Sequence, residues 1–265
     1  VSLAFTILGC GSSGGVPRVA QGWGACDAQE PRNRRRRCSA LVERAGASGR
    51  TQVLIDASPD LREQLIGAEV ARLDGVLLTH PHADHTHGID DLRPITIATR
   101  RRVEIHMDAP TSADVRTKFA YIFETPAGSS YPPIAAERRL TPGVEVEIEG
   151  PGGAIAAMPF TLVHGDIPAL GLRIGGLAYT PDLNAVPDAA TPYLEGLDVW
   201  VIDALRYAPH PSHLSLSEAL AMIERFRPKR AVLTNLHTDL DYATLTRMLP
   251  PGVTPAYDGL RIEGF

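Results

Sequence analysis

A chain of 265 residues, 44% hydrophobic and 22% charged, has the make-up of a globular enzyme and enough length for a large core. The formal net charge of −5 excludes a general pull toward nucleic acid or anionic membrane, and no apolar run is long enough to cross a bilayer. Three cysteines, Cys10, Cys26 and Cys38, are too few for a disulfide framework; they read as small buried thiols, and a cytoplasmic location is expected.

In chain order, Val1-Ser2-Leu3-Ala4-Phe5-Thr6-Ile7-Leu8 lacks the basic start and length of a secretory signal and predicts a strand over Leu3–Leu8. Gly9–Gly14 has the form G-x-G-x-x-G, but Val16-Pro17 follow where a dinucleotide site needs a helix, so a turn is expected. Segment 11–37 reads as a long loop. Its Arg32 and Arg34–Arg37 fit phosphate binding or a solvated basic face. Strands follow over Ala40–Arg44, Val53–Asp56, Gly75–Thr79 and Val103–His106, with helices after Ser58-Pro59 and after Thr111. A second Gly/Pro-rich loop spans 124–143. Further strands are predicted over Val144–Ile148, Ile155–Val163, Gly171–Ile174, Leu177–Thr180, Val199–Asp203, Ala231–Asn235 and Arg261–Glu263. The clearest helix is Ser215–Phe226: Ser215 caps it, Glu218 completes a capping box, and Leu216, Leu220, Ile223 and Phe226 recur at helical spacing. Another helix follows Leu240-Asp241. The alternation predicts one α/β domain over 1–265, with layered sheets flanked by helices.

The strand at Gly75–Thr79 runs into His80-Pro81-His82-Ala83-Asp84-His85-Thr86-His87-Gly88. Four imidazoles and a carboxylate within eight residues are hard to explain by packing, and they are ligands that suit zinc, iron and manganese. Other polar residues recur at predicted strand ends: Asp56, His164, Asp182, Asp203 and His237. Strand ends on one rim can converge on a cleft.

The His-x-His-x-Asp-His pattern of 80–85, with His164, Asp182 and His237 in order behind it, resembles the metallo-β-lactamase superfamily over essentially the whole chain. The resemblance implies an αββα sandwich of two mixed sheets and a pair of divalent ions, zinc or manganese, with iron as a further option. It implies that His80, His82 and His164 bind the first ion, that Asp84, His85 and His237 bind the second, and that Asp182 bridges them around a shared hydroxide. Asp84 and His213 take the catalytic roles. Asp56 would orient the cluster from behind, and Gly88 would let the chain pass close behind it.

Pro211-Ser212-His213-Leu214-Ser215 resembles the region where the superfamily's phosphodiesterases, the tRNA 3′-end processing endonucleases among them, place a histidine that is not a ligand. His213 is therefore expected to protonate a leaving oxygen or bind a phosphate oxygen. Gly9–Pro17 and His213–Ser217 further resemble the cyclic phosphodiesterase of the carbon–phosphorus lyase pathway. That relative carries a structural zinc on N-terminal cysteines and a histidine past the last ligand; Leu240 stands at that place here, and no structural zinc is expected. The expected function is hydrolysis of a small, cyclic nucleotide or sugar phosphodiester. Alternatives are a thioesterase or lactonase, a tRNA-processing endonuclease, and a non-catalytic binding protein. No membrane partner and no extended nucleic acid is expected; a homodimer stays open.

The bland alternatives are specific. His106 reads as structural, His87 as a surface residue, and Asp203 equally as a strand-end cap or as a carboxylate behind the site. His210 lies too near His213 to be separated from it by chemistry. Tyr121, Phe123, Tyr131 and Tyr207, in or near expected loops, are places where a base could stack, though packing is the commoner role.

Overall fold

The computed structural model describes residues 2–265; Val1, in the opening run, lies outside the described residues. Strands β1 (Ser2–Gly9), β2 (Ser39–Gly46), β3 (Gly49–Ile55), β4 (Gly75–Leu77), β5 (Val103–Met107) and β6 (Ala135–Arg139) build the first sheet. Strands β7 (Val146–Ile148), β8 (Ile155–His164), β9 (Ile167–Ile174), β10 (Leu177–Thr180), β11 (Val199–Asp203), β12 (Arg230–Thr234) and β13 (Val253–Pro255) build the second. The chain then returns to the first sheet as β14 (Arg261–Glu263).

Among the described residues each sheet has seven strands, in the orders β14-β1-β2-β3-β4-β5-β6 and β13-β12-β11-β10-β9-β8-β7. Both are mixed. β1, β2, β3 and β14 pair antiparallel and β3 to β6 parallel, while β10 to β13 pair parallel and β7 to β10 antiparallel. Helices α1 (Leu61–Gly67), α2 (Ala83–Thr86), α3 (Arg93–Thr99) and α4 (Ala109–Phe123) belong to the first half; α5 (Thr191–Leu194), α6 (Leu216–Phe226) and α7 (Tyr242–Met248) belong to the second.

Three buried clusters give the layers. Phe5, Val42, Val53 and Ile55 meet Leu170, Leu172, Tyr179 and Val201 between the sheets. Leu54, Val76 and Ile105 pack with Leu61, Leu92 and Val115 on the outside of the first sheet. Trp200, Ile202 and Leu233 pack with Ala219, Phe226 and Leu245 outside the second. This is the expected αββα sandwich. The capping box at Ser215 and Glu218 is present, with Ser215 Oγ accepting from the Glu218 backbone N–H.

The expected loop 124–143 is corrected: it contains β6, which lies parallel to β5 at the sheet edge. Its sequence, Ala-Ala-Glu-Arg-Arg, lacks the β-branched residues that signal a strand; charge at an edge discourages pairing with another chain. Tyr121 and Phe123 lie in α4 rather than a loop, and Phe123 is buried. Tyr131 is exposed; Tyr207, 43% exposed, sits beside Met248.

Candidate metal centre

The predicted residues converge where the strands of both sheets end. β3 leads into Asp56 and β4 into the histidine cluster, and β8 ends on His164. β10, β11 and β12 lead to Asp182, Asp203 and His237.

Two groups of ligand atoms result. His80, His82, His164 and Asp182 offer atoms that lie within 4.8 Å of one another, and so do Asp84, His85 and Asp182. In the first, His82 Nδ1 stands 3.2 Å from His80 Nε2 and 3.1 Å from His164 Nε2. His164 Nδ1 donates to the Ser212 carbonyl at 2.7 Å, which leaves the lone pair of its Nε2 facing inward. Burial pushes His80 well below the usual imidazole pKa and pushes His82 and His164 down as well. Convergent neutral imidazoles are what a divalent ion binds.

The second group is the electrostatic opposite. Burial works against charge on His85, but the carboxylates of Asp182, Asp56 and Asp84 outweigh it and hold the ring well above its usual pKa. Burial would raise Asp182, yet His85 above all holds it well below the usual carboxylate value. His85 Nε2 is buried without a hydrogen-bond partner, 3.2 Å from Asp182 Oδ1 and 3.5 Å from Asp84 Oδ2. An orphaned ring nitrogen facing two carboxylates marks a place for positive charge, and the N and O donors fit divalent metal ions. Asp182 faces both groups: Oδ1 toward His85, Oδ2 at 3.6 Å from both His80 Nε2 and His164 Nε2.

Asp56 stands behind the cluster, fully buried, with its backbone at φ 61°. Its Oδ1 accepts from the Thr79 N–H at 2.8 Å and its Oδ2 accepts from His85 Nδ1 at 2.7 Å. One carboxylate therefore fixes both the strand end and the ring orientation. Gly88 sits against the chain at Ser58, whose carbonyl a Cβ would overlap.

His213 lies beside the first group, its ring 4.7 Å from that of His164. Its Nδ1 is 2.8 Å from Asp203 Oδ2, which also accepts from the Leu183 N–H at 3.2 Å, so the carboxylate orients the ring and caps the neighbouring strand end at once. Burial would lower His213, but the bond to Asp203 prevails and raises it to about 9. His210 instead accepts from Ser212 N at 3.3 Å.

His237 is the predicted ligand that neither group includes. Its Nε2 is 2.6 Å from Arg18 Nη1 and its Nδ1 is 3.2 Å from Thr238 Oγ1. Its carbonyl accepts from Arg35, which is 2% exposed and also bonds Leu240 O and Asn33 Oδ1. The basic loop is therefore structural rather than merely solvated: Arg36 pairs with Asp258, Arg37 with Asp60 and Arg32 with Glu30. Arg34 lies over the Trp23 ring. Cys10, Cys26 and Cys38 are buried free thiols. His87 is exposed and edge-on to Phe119, and His106 is buried in β5, away from the centre.

Arg18 and Asn235 went unnoticed in the sequence. Asn235, at φ 61°, places its side-chain amide 3.3 Å from Asp182 Oδ1 and 3.1 Å from His213 Nδ1. A lone Asn or Arg carries no signal by itself; the position after β12 is the only cue for Asn235.

Two mixed sheets with a His/Asp rim at their facing ends define the class: a metallo-β-lactamase fold whose rim offers two groups of metal ligands. Residues 51–235 match the family model described as the beta-lactamase superfamily domain, and the chain belongs to that superfamily. A solved structure of a diphosphatase from the PhnP family superposes with a TM-score of 0.89 at 32% identity, covering 100% of this chain and 98% of that one. A zinc-bound PqqB from Methylobacterium extorquens shares the fold, with a TM-score of 0.74 at 19% identity over 98% of this chain and 99% of that one. An octanoyltransferase of Porphyromonas gingivalis is 31% identical over 96% of this chain. The chain spans about half the length (50%) of that relative.

Proposed function

We propose that the protein is a dinuclear metal-dependent phosphodiesterase acting on small phosphodiesters, cyclic nucleotide or sugar phosphates in particular. The observation that carries this reading is the Asp203–His213 pair standing against the two ligand groups. His213 Nε2 lies 3.9 Å from Asp182 Oδ2, at the edge of the centre and free of the ligand groups themselves. A protonated imidazole there suits an alkoxide leaving from phosphorus. The likeness to a PhnP-family diphosphatase supports phosphorus chemistry.

In this reading His80, His82 and His164 would hold one ion and Asp84 and His85 the other, with Asp182 shared by the two groups; His237, whose Nε2 faces Arg18, would join the second ion only on leaving that partner. Two ions of this kind, zinc or manganese, supply Lewis-acid stabilisation of the charge gathering on phosphorus and an activated water. The chain's own groups do the rest. Asp56 keeps His85 turned inward, Ser212 does the same for His164, and Asp203, accepting from His213 Nδ1, favours the doubly protonated ring whose Nε2–H lies on the side of the metal centre. Asp84 carries a catalytic role as an anionic wall of the cleft.

Purified protein supplied with zinc or manganese is expected to cleave bis-p-nitrophenyl phosphate and 2′,3′-cyclic nucleotides. Cleavage of thioesters or lactones with neither phosphodiester touched would overturn the assignment.

A further inference from the structure

Asp239 stands beside a predicted ligand with one oxygen left over. Past the end of β12, the half-buried His237 puts its Nδ1 3.3 Å from Asp239 Oδ1, and that oxygen is buried and accepts no hydrogen bond. The other side of the ring shows where its proton sits. A guanidinium only donates, and Arg18 Nη1 lies 2.6 Å from His237 Nε2, so Nε2 offers its lone pair and the neutral ring carries its proton on Nδ1. There the proton faces Asp239 Oδ1 and, at 3.2 Å, Thr238 Oγ1. Three other rim imidazoles are held in the same way. Nδ1 of His85, His164 and His213 meets an oxygen of Asp56, Ser212 and Asp203 at 2.7, 2.7 and 2.8 Å, and Nε2 of each is turned toward Asp182.

The second oxygen reaches a different part of the rim. Asp239 Oδ2 accepts from the Tyr207 N–H at 3.1 Å. Tyr207 lies on the segment between β11 and α6 that carries His213. Backbone bonds stitch that segment to His237 as well: the His237 N–H donates to Leu205 O, and the Leu205 N–H donates to the carbonyl of Leu214, next to His213, both at 2.9 Å. One carboxylate therefore faces the imidazole assigned to the second ion and holds the loop of the proton donor.

We propose that Asp239 is a positioning residue for the second ion: it holds the His237 proton on Nδ1, keeps the Nε2 lone pair on offer, and pins the Tyr207 end of the loop that carries His213. This rests on the dinuclear phosphodiesterase reading and deepens it. The lone pair that Arg18 meets is the one an ion would take, so the tautomer that suits the guanidinium also suits the metal. A carboxylate behind a ligating imidazole fixes its rotation and raises its basicity. Thr238 Oγ1, being uncharged, supplies the rotation without the charge.

The test uses two variants that separate the two contacts. Asp239→Asn keeps an oxygen for the Tyr207 N–H and removes the charge; Asp239→Ala removes both. Chelator competition on the zinc-loaded protein needs no turnover. It is expected to show second-ion affinity lowered about 10–100-fold in both variants, with the first ion bound as in wild type. With bis-p-nitrophenyl phosphate, saturating zinc is expected to restore kcat in Asp239→Asn and to leave Asp239→Ala about tenfold low, the cost of a displaced proton donor. Glu224→Gln removes an exposed charge on α6 and is expected to change neither measurement. Unchanged second-ion affinity in both variants, with phosphodiester still cleaved, overturns the proposal and leaves the phosphodiesterase reading standing. Equal recovery of kcat in both variants at saturating zinc overturns the hold on the His213 loop. A wild-type protein that takes up a single ion overturns both readings. One that takes up two ions and cleaves no phosphodiester overturns only the phosphodiesterase reading, and the chelator competition still decides for Asp239.

Discussion

His213 and Asp203 are ten residues apart, yet their side chains meet at 2.8 Å, Nδ1 to Oδ2. The carboxylate is fully buried at the end of β11, and the ring is the part that reaches the cleft. Orientation and charge of the imidazole thus come from one contact.

That contact sets a pH dependence. The His213 pKa is raised to about 9 from 6.5, so the ring keeps its proton through neutral pH and loses it as pH rises through the higher value. If the ring is the proton donor, kcat falls on the alkaline side. Asp203→Asn removes the stabilising carboxylate, and the fall should move to lower pH. His213→Ala should cost about 10²–10⁴ in kcat with metal content retained. A kcat profile that stays in place in Asp203→Asn would break the link.

Asp56 offers a second test. Its replacement by Ala strands the Thr79 N–H and the His85 Nδ1 in a buried site. Metal affinity is expected to fall about 10–100-fold. Stability is expected to drop by roughly 3 kcal/mol from the unpaired buried groups. Competition with a chelator measures the first and urea unfolding the second; a variant equal to wild type in both would remove Asp56 from the site.

Gly88 should not tolerate a side chain. Its Cβ would overlap the Ser58 carbonyl, which is backbone and has little room to yield. Gly88→Ala is expected to lose about 1–3 kcal/mol, read as a lowered urea midpoint together with weaker metal retention, because Gly88 closes the turn that carries Asp84 and His85.

Asp241 caps α7 through the Thr244 N–H and accepts from Asn33 Nδ2. Burial opposes ionisation, but Asn33 and the Thr244 and Asp27 N–H groups outweigh it and lower the pKa from 3.8 to about 2. A depressed carboxylate contributes stability that is full above the unfolded value and is lost as pH falls through the folded one. Asp241→Ala should therefore cost about 1 kcal/mol at neutral pH, and the gap between the two proteins should close near pH 2. A gap that persists in acid would assign the effect to packing instead.

Much of this architecture is legible in the sequence because its physics is local. Buried strands such as Val199–Asp203 announce themselves by apolar β-branched runs, and α6 by its cap and periodicity. The histidine cluster is legible because so many ligands in one turn defy a packing explanation. β6 escapes because edge position, not composition, makes Ala135–Arg139 a strand. The one-turn α2 is too short to show a period. Arg18, Arg35 and Asn235 escape for a different reason: their roles depend on partners some 22 to 219 residues away, a relation that no window along the chain contains.

Asp182 and His164 come from the second sheet, whereas His80, His82, Asp84 and His85 come from the first. A divalent ion lodged among them is consequently a rivet through both leaves of the sandwich. Prying the leaves apart scatters the donors, so the ion should leave at the moment of unfolding, and loading should raise the melting temperature in step with free metal concentration.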